Sequence, residues 1–114
     1  MEDFVLDKAA ILERLGADEE IFAVLGDMFV SDVDNYCGKL ESALAAAQAD
    51  VLQREAHTVK GLLATFADDA GAAMAMAVEQ QAKQGELAGL GPAVAALQDR
   101  VRLVAAGVRA VRAG

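Results

Sequence analysis

The chain has 114 residues, 55% of them hydrophobic, with alanine the commonest residue, few aromatics, one proline and one cysteine. That is enough apolar material for the core of one domain spanning 1–114, and the dominance of alanine, the strongest helix former, points to an all-α fold. A formal net charge of -8 and a pI near 4.4 repel phosphate backbones and anionic lipid, so neither nucleic acid nor a membrane is an expected partner. Cys37 has no internal disulfide partner, and no signal peptide or apolar run of about 18 residues is recognisable, so the expected setting is cytoplasmic.

A short helix is predicted over 7–15, capped by Asp7 and stopped at Gly16, with Ala10, Ile11 and Leu15 on one side. Asp18 then caps a long helix over 19–47, with Glu19 and Glu20 at the positive end of its dipole and a kink expected between Ser31 and Asn35. Its core face is Phe22, Leu25, Phe29, Val33, Tyr36, Leu40, Ala43 and Ala47, at heptad-like spacing. Ile21, Val24 and Met28 form a second stripe about 90° away. The favoured reading packs the first helix on that stripe, and the alternative leaves it as a docking patch for a partner.

The next helix, over 50–67 with Asp50 as its cap, carries the only histidine of the chain. Leu52, Ala56, Val59, Leu63 and Phe66 recur at the spacing of a core-facing stripe. His57 lies about 140° from the middle of that stripe and faces outward. Lys60 stands beside it at i+3, and Gly61 and Ala64 follow one and two turns on. Asp68 and Asp69 mark the end of this helix and the cap of the following one, over 71–84, whose alanines and methionines scarcely fix which side is buried. Gly85 stops it, and Gly89, Gly91 and Pro92 form a turn that sets Pro92 at the first helical position.

In the last helix Val94, Leu97, Val101, Val104, Val108 and Val111 keep a strict two-per-heptad seam, flanked by Arg100, Arg102, Arg109 and Arg112. Four long helices on short connections predict an antiparallel up-down four-helix bundle, with the short first helix added as a cap.

Much of the chemistry is settled by elimination. One histidine and one cysteine, the latter placed on a buried turn, cannot supply a three- or four-ligand zinc site, so no metal is expected. Neither Ser31 nor Ser42 sits in a strand-turn-helix elbow, and no glycine-rich loop has the spacing that cradles nucleotide phosphates. Asp68 and Asp69 read as helix-cap charge rather than as an acid/base pair.

His57 is left. A lone exposed histidine is by default a solvated surface residue, but imidazole is also a nitrogen nucleophile near neutral pH. To take a phosphoryl group in line it needs one ring nitrogen free, the other held by an acceptor, and room for the donor. Gly61 gives that room at a helix-interior cost of about 1 kcal/mol. Lys60 is placed to neutralise phosphate oxygens, or simply to keep the surface soluble.

The string AHTVKG at 56–61 resembles the signature of the histidine-containing phosphotransfer (HPt) domain of two-component phosphorelays. An aspartate near the start, Phe29 in the long helix, the small Ala64, and Val78-Glu79 followed by Lys83 and Gly85 extend the resemblance over nearly the whole chain. It implies that His57 accepts a phosphoryl group from the aspartate of one response-regulator receiver domain and relays it to another. It further implies that Lys60 stabilises the phosphoryl oxygens, that Gly61, with Ala64 and Gln53, admits the partner, and that no cofactor or ATP site of the chain's own is needed. The implied partners are receiver domains and a sensor or hybrid histidine kinase, and the expected state is a monomeric carrier rather than an enzyme. Related chemotaxis kinases have a glutamate that bonds the phosphorylatable histidine, and Glu79 matches that position.

Two departures from the family pattern stand out. Leu62 and Leu63 replace small polar residues, and Ala67 replaces a glycine, changes expected to touch helix packing and the following turn. The alternative function is a helical module that binds receiver domains without being phosphorylated. A homodimeric coiled coil is weakened by the number of short-linked helices.

Overall fold

The computed structural model describes residues 6–113, and the order of elements is five α-helices: α1 (Lys8–Arg14), α2 (Glu19–Ala45), α3 (Ala49–Thr65), α4 (Asp69–Lys83) and α5 (Gly91–Ala113). The all-α bundle expected from periodicity is what forms. α3 packs most extensively on α4 and α2 on α5, while α2–α3 and α4–α5 contacts close the ring. Cross-links fix the directions. Asp27 meets Arg112 while Cys37 meets Gln98, so α2 and α5 run antiparallel. Stacking of Phe29 on Phe66, with ring centroids 4.9 Å apart, ties α2 to the end of α3.

The core follows the stripes read from the sequence, with Leu25 and Tyr36 of the α2 face only partly buried and Cys37, Leu90 and Ala105 added to it. Leu52, Ala56, Val59, Leu63 and Phe66 are all buried, as are Val94, Leu97, Val101, Val104 and Val108. α4 buries Gly71, Ala75, Val78 and Ala82, which settles its rotation. Among the described residues no helix is long and apolar enough to cross a membrane.

Several local expectations are corrected. α2 is helical without a break from Glu19 to Ala45, through the Ser31–Asn35 stretch. Ala47 is not part of its core face but lies beyond its end with φ +53°. Cys37 sits in mid-α2 rather than on a turn; it is buried against α5, and that burial pushes its thiol pKa up. Asp50 is not the cap of α3, because that helix begins at Ala49 and places Asp50 inside its first turn. α5 starts at Gly91, so Pro92 is its second residue.

Asp68 precedes α4, but its side chain makes no capping bond. It is instead buried and receives the Arg100 guanidinium, with Nε 2.9 Å from Oδ2 and NH2 2.5 Å from Oδ1. A buried carboxylate needs such a partner more than a helix end needs a cap, since the backbone N–H groups there have water as an alternative.

The first helix does not cover the second stripe of α2. Ile21 is 43% exposed, Val24 57% and Met28 57%. α1 is held elsewhere: Lys8 reaches Glu19 and lies over the Phe22 ring, and Arg14 donates to the Ala64 carbonyl and reaches Asp69. α1 turns Ile11 into the core, and with these polar ties at its ends it sits away from the stripe, which stays open.

Candidate functional site

The backbone of α3 sets the site. With its apolar stripe turned into the bundle, His57 emerges on the opposite side, its side chain 65% exposed. α4 lies antiparallel beside it and presents Glu79, one residue past the buried Val78. The Glu79 carboxylate is only 17% exposed and divides its oxygens: Oε2 is 2.8 Å from His57 Nδ1, and Oε1 is 2.7 Å from Lys60 Nζ.

A carboxylate can only accept, so the hydrogen of the neutral ring resides on Nδ1 and Nε2 keeps its lone pair. No described contact occupies Nε2. The hydrogen bond from Lys60, opposed by partial burial and reinforced by the bond from His57, holds the Glu79 carboxyl below its usual value of 4.5. The glutamate is therefore ionised at neutral pH and able to balance positive charge on the ring.

His57, Lys60 and Glu79 are thus brought together. Gln53, with Asp50, Arg54, His57 and Glu79, lines an open groove along the top of the α3–α4 seam. Below His57, a Cβ added at Gly61 would meet nothing within 4 Å, so this glycine answers to no internal packing. Ala64 is partly buried, and its carbonyl accepts from Arg14.

Ile21, Val24 and Met28 are not part of this group. Since Phe29 faces Phe66, Met28 lies level with the foot of α3 and Val24 and Ile21 lie about 7 and 12 Å beyond it, while the nine residues from His57 to Phe66 add about 13 Å of helix. Two neighbours escaped the sequence reading: Arg14 and Arg54. The i+3 spacing of Arg54 to His57 was a signal for the second. Nothing in the sequence alone placed Arg14 against α3, because that depends on how separate helices meet.

Comparison with known proteins gives a consistent picture. A family model described as Hpt domain matches residues 24–107. The crystal structure of the HPT domain from the Hpt sensor hybrid histidine kinase from Shewanella superposes with a TM-score of 0.81 over 93% of this chain and 92% of that one, at 16% identity, a likeness of fold. Histidine-containing phosphotransfer protein B (HptB) from Pseudomonas aeruginosa PAO1 superposes with a TM-score of 0.71 over 94% of this chain and 90% of that one, at 29% identity. No curated protein matches significantly by sequence. HPt domains are phosphocarriers rather than enzymes, acting with kinases and response regulators in two-component phosphorelays. With the family model spanning most of the five helices, the chain belongs to the Hpt domain family and has a phosphotransfer role in two-component signalling.

Proposed function

We propose that His57 carries the phosphoryl group on Nε2, taking it from the aspartyl phosphate of one receiver domain and passing it to the aspartate of another. What carries this reading is the split Glu79 carboxylate: it fixes the Nδ1–H tautomer and leaves Nε2 open to solvent.

The chemistry balances without a general base. The Nε2 lone pair forms the N–P bond as the P–O bond to the donor aspartate breaks, and that carboxylate leaves with the electron pair. The Nδ1 proton stays in place. The ring becomes a phosphoimidazolium whose positive charge faces ionised Glu79, and the reverse sequence returns the group to the next aspartate. Because the ring keeps its proton, no base has to act in either direction.

Lys60 has a double task in this scheme. Its ammonium has three donors, one of which is given to Glu79. The remaining two are available to phosphoryl oxygens when Nε2 is occupied. Gly61, together with Ala64 and Gln53, leaves the approach clear. The Ile21, Val24 and Met28 stripe, open beside the foot of α3, gives a receiver an apolar foothold farther down the same bundle.

The test is incubation with a panel of labelled, phosphorylated receiver domains. Label should move onto the wild-type protein as an acid-labile, alkali-stable adduct. His57→Gln should abolish the adduct without changing helical circular dichroism, and label persisting in that variant would sink the assignment.

A further inference from the structure

Met76 is 46% exposed, one of five large apolar side chains left open on the described surface, and it lies three residues before Glu79 on α4. Three residues along a helix amount to about 60° of rotation and about 4.5 Å of rise, so it sits on the turn next to Glu79. The buried positions of α4, Ala75, Val78 and Ala82, fall on the other side of Glu79 by the same wheel. Met76 therefore projects from the outer margin of the α3–α4 seam.

Its level along α3 follows from register. Glu79 faces His57 and Lys60, and the two helices run antiparallel, so moving back along α4 means moving forward along α3. Met76 comes level with Gly61, the glycine whose Cβ position is empty space. Moving the other way, Lys83, one turn after Glu79, comes level with Arg54, which lines the groove with His57. His57 thus stands between two unlike flanks: above, Lys83 and Arg54, the latter sharing the groove with Asp50, and below, an apolar side chain beside the Gly61 clearing.

Resting on the reading of His57 as the phosphoryl carrier, we propose that the receiver domain docks across the seam onto α4, with Met76 as an apolar anchor seated against the Gly61 clearing. The occupant is a receiver domain because the patch is continuous with the histidine that must meet its aspartate. Charge argues the same orientation. An aspartyl phosphate is anionic and this chain carries -8 overall, so the phosphoryl donor is best received on the side of Arg54 and Lys83. Contact on the other side then falls to apolar surface, which resists dissociation without adding to the repulsion.

The experiment uses a receiver domain that exchanges phosphate with the wild-type protein, and compares Met76→Ala and Met76→Gln for dissociation constant and transfer rate. The glutamine keeps length and neutrality while removing the apolar surface. Both substitutions are at an exposed position, and an unchanged Tm confirms that the fold is intact. Weaker binding by about fivefold or more in the glutamine variant, mainly through faster dissociation, is the expected result. Unchanged affinity and transfer in both variants would overturn the anchor while leaving the carrier reading standing. Failure of wild-type protein to take phosphate from any receiver would remove the carrier reading and this inference with it.

Discussion

His57 Nδ1 and Glu79 Oε2 are 2.8 Å apart across the seam of α3 and α4. The bond does more than orient a ring, because it decides which ring nitrogen keeps its lone pair. In Glu79→Ala the ring loses its only described partner, so nitrogen-detected NMR should show the tautomer mixture moving toward Nε2–H. Transfer should slow about tenfold, the lower end of what losing an orienting partner costs at comparable sites. An identical tautomer mixture in variant and wild type would show that the glutamate does not set it.

The same carboxylate gives a pH signature. Its folded pKa lies below the usual 4.5, so the stability it contributes is fully present above that value and is lost as pH falls through the folded one. Urea midpoints of wild type and Glu79→Gln should differ by a constant amount above pH 4.5. The gap should close below it. A gap that widens on acidification would contradict the sign of this linkage.

Two helical glycines, Gly71 in the first turn of α4 and Gly61 inside α3, should respond oppositely to one methyl group. A Cβ at Gly71 would lie 2.0 Å from Asp68 Oδ2 and 3.0 Å from Arg100 Cγ. Gly71→Ala must therefore pry apart a buried ion pair, costing about 3 kcal/mol or more. At Gly61 nothing obstructs the new atom, so Gly61→Ala should stabilise the fold by about 1 kcal/mol through helix propensity. Gly61→Gln, by contrast, should slow transfer, because a long side chain one turn from His57 obstructs docking. Urea denaturation and transfer kinetics on the three variants separate packing from approach.

Much of this was legible from the chain because helical periodicity reports burial directly. The α3 stripe is buried as read, as is the α5 seam up to Val108, with Val111 partly buried at its end, and placing His57 outside needed only its angle from the α3 stripe. Helix starts were less legible. Asp50 and Asp68 both have the residue type of a cap, yet one lies inside its helix and the other is drawn into the core by Arg100. That choice depends on a residue 32 positions away, beyond any local pattern. The stripe of Ile21, Val24 and Met28 was misassigned for the same reason: apolar spacing says that a face wants cover, while where Ile11 finds the core decides where α1 goes.

Ala67 shows the limit from the other side. The residue that replaces the family's glycine still adopts φ +59°, and the turn still closes with Ala67 N–H on the Ala64 carbonyl and Asp68 N–H on that of Leu63. The turn is kept and the alanine is strained into it. Ala67→Gly should raise stability by about 0.5 to 1 kcal/mol, the left-handed relief being partly offset by the flexibility of glycine in the unfolded chain. A lower thermal midpoint in the variant would mean that the alanine methyl contributes more by packing than it costs in strain.

The open stripe on α2 yields the last prediction. Met28 and Ile21 are 57% and 43% exposed, so truncating either removes little internal packing and should leave the melting temperature nearly unchanged. If the receiver reaches from His57 down to the edge between α1 and α2, each alanine substitution should weaken its binding by about 1 to 2 kcal/mol, the range for a moderately buried interface side chain. The effect should fall mainly on dissociation, since a neutral side chain contributes nothing to long-range attraction. Binding that survives Met28→Ala and Ile21→Ala but fails in Met76→Gln would confine the footprint to the α3–α4 seam. Loss in all three would mean a partner that spans α2, α3 and α4, with His57 toward one end of its contact.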